Sequence, residues 1–235
     1  MAVFAISDLH LAIGMDKPMD IFGLNWENHV RQIENAWNTL VLPEDTVVIP
    51  GDISWGMTLA QAAPDFAFLE QLPGKKIILK GNHDYWWSSV TKIERFFAEE
   101  GFSSIRLLKN NCFRVDLHVL LCGTRGWILP CDNAYKKSDD IIFKRELGRL
   151  ETSLSQAADL REPGDRIVVA MHYPPLLPAC LETEFTRMME SFRVERCLFG
   201  HVHGNMKDRS YEGEQNGVSY KNISADKLAF KPLRL

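Results

Sequence analysis

Asn82, His83 and Asp84 follow directly on the apolar run Ile77-Ile78-Leu79 and the pair Lys80-Gly81. Such a run reads as a buried strand, and glycine lets the chain turn where a side chain would clash. A core strand has no packing reason to end in residues that bind metal, hold phosphate oxygens or move protons. Four other segments share this grammar: Asp8 and His10 after Val3 to Ser7, Asp52 after Thr46 to Pro50, His172 after Arg166 to Met171, and His201 with His203 after Arg196 to Phe199. Five of the seven histidines sit at these strand ends, and only His29 and His118 fall elsewhere.

Asp8, His10, Asp52, Asn82, His172, His201 and His203 form a mixed nitrogen and oxygen ligand set with no thiolate. That set suits Mn, Fe, Zn, Ni or Co, excludes soft Cu(I), and is too rich in imidazole for a pure Mg or Ca cage. Seven ligands are too many for one ordinary centre and suit two ions sharing a carboxylate, held roughly 3.5–4 Å apart as in two-metal phosphoryl-transfer sites. In an open α/β sheet, loops at the carboxyl ends of the strands form the ligand crevice, so residues scattered along the chain converge there.

The ordered set Asp8-Leu9-His10, Gly51-Asp52, Gly81-Asn82-His83-Asp84, His172 and Gly200-His201-Val202-His203 resembles the calcineurin-like metallophosphoesterases. Asp-x-His and Gly-Asp occur often by chance; Gly-Asn-His-Asp after a strand is specific, and all five in order are more so. The resemblance implies an α/β fold, a four-layer αββα sandwich of two mixed β-sheets flanked by helices. It also implies two divalent or trivalent transition-metal ions, with Mn, Fe or Zn foremost. Asp8, His10 and His203 would hold one ion, Asn82, His172 and His201 the other, and Asp52 would bridge them. In the resembling enzymes the histidine matching His83 faces the scissile phosphate. Asp84, next to it in sequence, is expected to orient that imidazole. The expected reaction is hydrolysis of a phosphodiester or phosphomonoester, by in-line attack of a metal-bound hydroxide. Asn82 is also a candidate for contacting substrate phosphate, as is Arg125, between glycines in Gly123-Thr124-Arg125-Gly126-Trp127, because its guanidinium binds phosphate oxygens bidentately.

Two alternatives stand beside this reading. Ser/Thr protein phosphatases typically carry Gly-Asp-Tyr-Val-Asp-Arg-Gly and Arg-Gly-Asn-His-Glu, whereas this chain has Gly51-Asp52-Ile53-Ser54-Trp55-Gly56 and Lys80 before Gly81. A non-catalytic scaffold of the same fold would have lost ligands, and no position of the pattern is missing.

The elements that must position these residues follow from periodicity. Helical spacing covers Trp26 to Leu40, Leu59 to Leu72 (interrupted by Pro64), Val90 to Glu100 with Gly101 as C-cap, Ile141 to Ala158 and a segment near Glu184 to Phe192. Lys76 to Lys80 completes the strands that carry motifs. Ile105 to Leu108, Cys112 to Val115 and Val119 to Cys122 are short, closely spaced and expected to be antiparallel, as is the tail from Tyr211 to Ile223.

The 235 residues suit one domain, 1–235, with ordinary hydrophobic (46%) and charged (25%) fractions. A formal net charge of -4 argues against a nucleic-acid-coating protein, so no obligate nucleic acid partner is expected. No apolar run is long enough to span a bilayer, so no membrane partner is expected either. Five cysteines without a Cys-x-x-Cys pair suggest reduced thiols in a cytoplasmic protein. The expected partner is a small phosphorylated substrate, a nucleotide among the candidates, since Trp55, Tyr85, Trp86, Trp87, Trp127 and Tyr173 flank the motifs and an aromatic rim stacks bases. His29 and His118 read as structural, Lys136, Lys137 and Lys144 as a solvated face, and Met15 to Met19 as a loop after the first motif that either moves over the site or only connects.

Overall fold

A computed structural model of residues 1–235 describes every residue except for the side chains of Phe22, Asn205, Lys207 and Asp208. The first half of the chain runs β1 (Val3–Ala5), α1 (His29–Leu40), β2 (Thr46–Pro50), α2 (Leu59–Gln71), β3 (Lys75–Leu79), α3 (Val90–Glu100) and β4 (Ile105–Leu107). The second half runs β5 (Phe113–Asp116), β6 (Val119–Thr124), α4 (Asp140–Leu160), β7 (Arg166–Met171), α5 (Glu184–Ser191), β8 (Val194–Phe199), β9 (Gly213–Gln215), β10 (Val218–Asn222) and β11 (Leu233–Arg234).

The strands form two mixed sheets, ordered β11-β1-β2-β3-β4 and β5-β6-β7-β8-β10-β9. In the first, β1, β2, β3 and β4 are parallel neighbours and β11 adds an antiparallel edge beside β1. In the second, β6, β7, β8 and β10 are parallel, with β5 and β9 antiparallel at the edges. Because the motif-bearing strands are parallel within each sheet, their carboxyl ends lie at one end of it.

Three apolar layers hold the sandwich. Val3, Ala5, Val48, Ile77, Leu121, Val168 and Leu198 alternate inward from both sheets and form the layer between them. Ile33, Trp37, Phe66, Ile93 and Phe97 pack α1, α2 and α3 on the outer face of the first sheet. Phe143, Leu150, Leu154 and Phe185 pack α4 and α5 on the outer face of the second. The layers therefore run αββα, as the resemblance implied.

Local rules set most boundaries. Thr58 and Ser89 accept main-chain N–H groups of Gln61 and Lys92 and cap α2 and α3. Gly101 ends α3 at φ 77, the left-handed C-cap that its type favours. The helix predicted from Trp26 starts instead at His29, because Asn28 sits at φ 54 and no α-helix passes through that conformation. Of the strands expected to be antiparallel, β5 pairs antiparallel with β6 and, in the tail, β9 with β10, whereas β4 joins the first sheet in parallel with β3. β10 is likewise parallel to β8.

The cysteine expectation is corrected. Cys131 and Cys180 are joined by a disulfide with a Cα–Cα distance of 6.6 Å, while Cys112, Cys122 and Cys197 are free thiols. The two partners lie on the loops after β6 and β7, neighbouring parallel strands, so both loops leave the same end of the sheet. Among the described residues, no helix is long and apolar enough to cross a membrane.

The tail returns to the start of the fold. Ser224 bridges to Ser7, Asn222 Nδ2 donates to the Val202 carbonyl at 2.8 Å, and Asp226 accepts the Gly204 N–H at 2.8 Å.

Candidate active site

Each motif residue leaves its strand through a sharp turn. Asp8, His10, Asp52 and His201 all have positive φ (57, 46, 51 and 71°), a conformation that costs non-glycine residues about 1–3 kcal/mol and collects at functional sites. Two glycines permit the close approach of these turns. A Cβ on Gly81 would collide with the main-chain nitrogen and carboxylate of Asp52, and one on Gly200 with the side chains of Ser7 and Asp8. The glycines of Gly-Asn-His-Asp and Gly-His-Val-His are thus requirements of packing between motifs.

The turns bring all seven predicted ligands together. His10 Nε2 lies 3.1 Å from His203 Nε2, and candidate ligand atoms of Asp8, His10 and His203 fall within 4.8 Å of one another. Asn82 Oδ1 lies 2.7 Å from His172 Nε2 and 2.8 Å from His201 Nδ1. Asp52 sits between the groups: its Oδ2 is 3.8 Å from His10 Nε2 and its Oδ1 is 3.6 Å from His172 Nε2. Asp8 also reaches across, grouping with Asp52 and His172 within the same 4.8 Å, while its two oxygens accept the His201 N–H at 3.1 and 3.0 Å.

The electrostatics fit a bound cation. Asp8, His10, Asp52 and His172 are at most 1% exposed. Burial pushes both carboxyl groups well above their ordinary range, and for Asp52 the proximity of Asp8 and then Asp84 pushes further. Among the described residues, no lysine or arginine forms an ion pair with either. Burial holds His10 and His172 far below the ordinary histidine value and takes His201 down to about 4, so these rings are neutral and offer lone pairs. The second ring nitrogen of His172 is tied to the Pro50 carbonyl at 3.1 Å; Nδ1 therefore carries the proton and Nε2 presents the lone pair inward. Two buried carboxylates, an amide oxygen and neutral imidazoles converging without a counter-charge are a donor set for transition-metal ions.

His83 stands outside this cage and next to it. Its main-chain N–H donates to Asp52 Oδ1 at 2.8 Å, and its ring lies 4.5 Å from the Trp55 ring and 5.7 Å from that of His10. Its Nδ1 is buried and has no partner. Burial, then the charge of Lys17, holds its pKa below the ordinary histidine value.

Asp84 corrects the sequence reading: it does not orient His83. Its carboxylate is buried and accepts the main-chain N–H groups of Gly81 (2.7 Å), Asp52 (2.9 Å), Ile53 (2.9 Å) and Ser54 (3.2 Å), and the Trp86 indole N–H (3.0 Å). Adjacent residues need not share a face, and the two N–H-rich turns beneath the site supply the better partners. Asp84 is a clamp between the Gly51 and Gly81 turns.

Arg125 is close to the cage by its main chain: its carbonyl accepts the N–H groups of His172 (3.2 Å) and Tyr173 (2.9 Å). Its guanidinium lies over Trp127 at 4.4 Å and 3.7 Å from Glu146, beside the cage.

The aromatic rim divides. Trp55 stacks on His10 at 4.9 Å, Tyr173 lies 4.2 Å from His201, and Trp127 lies 5.3 Å from Tyr173. Tyr85 is exposed, while Trp86 is buried against Phe66 and belongs to the core. Trp127, Leu129, Tyr173, Leu177 and Met206 wall a slot of about 440 Å³, counted to its open mouth, that leads to His201. The Cys131–Cys180 disulfide joins the two loops that form its walls.

The sequence left the Met15 to Met19 loop between a cover for the site and a connection, without singling out Lys17. Its Nζ lies over the Trp55 ring, 3.0 Å from the centroid, and Met19 of the same loop accepts the Trp55 indole N–H at 3.2 Å. The Met15 to Met19 segment is therefore fastened over the cage. A lysine and two methionines flanking a proline carry no local signal for this, because the contact is made with a tryptophan from another motif. The His29 ring packs edge-on against Trp26 at 5.3 Å, and its Nε2 is buried with no partner. His118, 3.4 Å from Asp165, lies away from the site.

Comparison with known proteins places this geometry. Residues 1–205 match the family described as calcineurin-like phosphoesterase. A curated relative, the Gene 66 protein of Mycobacterium phage L5, is 40% identical over 80 residues, 33% of this chain and 37% of that protein's length. Among solved structures, a phosphopantetheinyl hydrolase from Mycobacterium tuberculosis matches with a TM-score of 0.56 at 12% identity, covering 95% of this chain and 88% of that one. A protein of unknown function from Aquifex aeolicus matches at 0.51 and 18% identity, covering 99% and 95%. A purple acid phosphatase from yellow lupin matches at 0.50 and 13% identity, covering 95% and 43%. At these identities the structural matches speak for the fold alone.

Proposed function

The chain belongs to the calcineurin-like phosphoesterase family, and from that premise we propose that it is a metal-dependent phosphohydrolase cleaving a phosphodiester or phosphomonoester. The observation that supports this most directly is the placement of Asp52, with Oδ2 toward His10 and Oδ1 toward His172, between two groups of oxygen and nitrogen donors. Asp8, His10 and His203 with Asp52 would hold one ion; Asn82, His172 and His201 with Asp52 would hold the second. Such ions supply Lewis acidity toward phosphoryl oxygens and water.

The chain's own residues do the rest. His83 is neutral at rest and lies beside the cage with an unpartnered ring nitrogen; in that form it would donate a hydrogen bond to the leaving oxygen, and it would donate a proton only after taking one from solvent to become imidazolium. Asp52 fixes the His83 main chain, and Trp55 fixes its ring plane. Trp55 and Tyr173 cover His10 and His201 with apolar faces, which keeps bulk water from competing for the donor atoms. The slot between Trp127 and Tyr173 suits a flat or apolar portion of the substrate, a nucleobase among the candidates.

The test is colour release from bis-p-nitrophenyl phosphate and p-nitrophenyl phosphate by full-length protein loaded with Mn²⁺, Fe²⁺ or Zn²⁺. Turnover that is lost on chelation and in Asp52→Asn supports the reading. A metal-replete protein that hydrolyses neither ester overturns it.

A further inference from the structure

The crevice between the two sheets does not end at the metal cage. Contacts between strand ends run along it in order: Asp8 after β1 meets Gly200 after β8, Pro50 of β2 meets His172 after β7, and beyond these Leu108 after β4 meets Gly123 of β6. At that far end lies a second pocket of about 320 Å³, counted to its open mouth. Four cations line it, each from a different segment: Lys80 after β3, Lys109 after β4, Arg125 after β6 and Arg149 on α4.

All four are half-buried. The one carboxylate among the lining residues is that of Glu146, fully buried, accepting Thr124 Oγ1 at 2.8 Å and Arg149 at 2.6 Å and lying 3.7 Å from Arg125. A structural carboxylate accounts for the two arginines. It leaves Lys80 and Lys109, neither of which forms an ion pair among the described residues, and it leaves Arg125 Nε, which is buried with no partner. Holding several half-buried cations against one carboxylate is costly unless an anion completes the group.

We propose that this pocket binds a second anionic group, a phosphate carried on the same molecule as the scissile ester. The proposal rests on the phosphohydrolase reading for the first phosphate and adds the substrate class: a molecule with two separated phosphates. Guanidinium and ammonium groups from four segments converge on the tetrahedral oxyanion, and Trp87 walls the pocket beside it. Lys80 directly precedes Gly81-Asn82, and the Arg125 carbonyl holds His172, so both subsites share a frame.

Two measurements decide it. In kinetics with the full chain and its metals, alkyl α,ω-bisphosphates of increasing chain length are compared with alkyl monophosphates of equal length. The expected result is a preference for bisphosphate of about tenfold or more at one length, the size of one charge-assisted contact. That preference should collapse in Lys109→Gln and in Lys109→Gln/Arg149→Gln but not in Lys144→Gln, an exposed cation elsewhere on α4. No preference in the wild type, or one kept in both pocket variants, overturns the proposal. In crystals soaked with selenate, the selenium signal is expected between Lys109, Arg125 and Arg149, and an empty pocket there overturns it whatever the kinetics show. If no ester is hydrolysed at all, the phosphohydrolase reading falls while the selenate result still decides the pocket.

Discussion

The Asp84 carboxylate accepts the main-chain N–H of Asp52 at 2.9 Å, across 32 residues of sequence. The residue between the two candidate metal groups is therefore seated by the one that ends the Gly-Asn-His-Asp motif. Asp84→Asn replaces an oxygen facing several N–H donors with an amide that cannot accept them all. Unfolding in urea should show a loss of about 2–4 kcal/mol, the range for hydrogen bonds to a buried charge. Bound metal, measured on the purified variant, should fall with it.

His83 behaves oppositely. His83→Gln removes the unpartnered ring and leaves the main-chain bond to Asp52 in place. Metal content and melting temperature should stay at the wild-type level while turnover drops by roughly 10²–10⁴. The drop should be larger for an alkyl phosphate than for p-nitrophenyl phosphate, whose leaving oxygen needs no proton. Equal losses on both would remove the proton-donor role.

Trp55 joins the loop carrying Lys17 and Met19 to the rings of His10 and His83. Trp55→Ala should expose the Met15 to Met19 segment to limited proteolysis and lower turnover. Lys17→Gln should do less, since a partly exposed cation–π contact contributes only about 0.5–1 kcal/mol. Wild-type cleavage kinetics in Trp55→Ala would show that the loop is held by something else.

Asp165 gives a pH-dependent test remote from the cage. Arg114 donates to both its oxygens, at 2.9 and 2.8 Å, and holds the carboxyl far below the usual carboxylate range. A depressed folded-state pKa contributes stability that is complete above the unfolded value of about 3.9 and is lost as pH falls toward the folded one. Asp165→Asn should therefore be less stable than the wild type at pH 6, and the gap should begin to narrow below about pH 4 and go on narrowing as pH falls toward the folded-state value.

The disulfide closes a 49-residue separation, for which chain entropy gives about 4 kcal/mol. Under denaturing, non-reducing conditions three thiols should titrate, and all five after reduction. Cys131→Ser should lower the melting temperature and loosen the slot between Trp127 and Tyr173.

The convergence of Asp8, His10, Asp52, Asn82, His172, His201 and His203 was legible in sequence because each is announced locally, by an apolar run, a turn and a polar side chain, and strand direction then carries all of them to one end. The αββα layers follow from the same alternation. Asp84 was misread because its acceptors lie in a turn reached only after folding, and adjacency to His83 said nothing of orientation. The pairing of Cys131 with Cys180 depends on two loops meeting, which spacing does not encode. β11, two residues long, and the parallel placement of β4 and β10 have no periodic signature; neighbouring strands with unpaired edges decide them.

Ser7 pairs with Ser224, and β11 closes the edge beside β1. Asp8 and His10 are thus made early on the ribosome and wait for a partner strand made late. At about 5–20 residues per second, that interval is roughly 10–40 s, during which the nascent chain carries its first acidic and imidazole donors without the strand that seats them. Enclosure of the first donors accordingly waits until synthesis has passed the last motif, with Asp8 and His10 open to the surroundings until then.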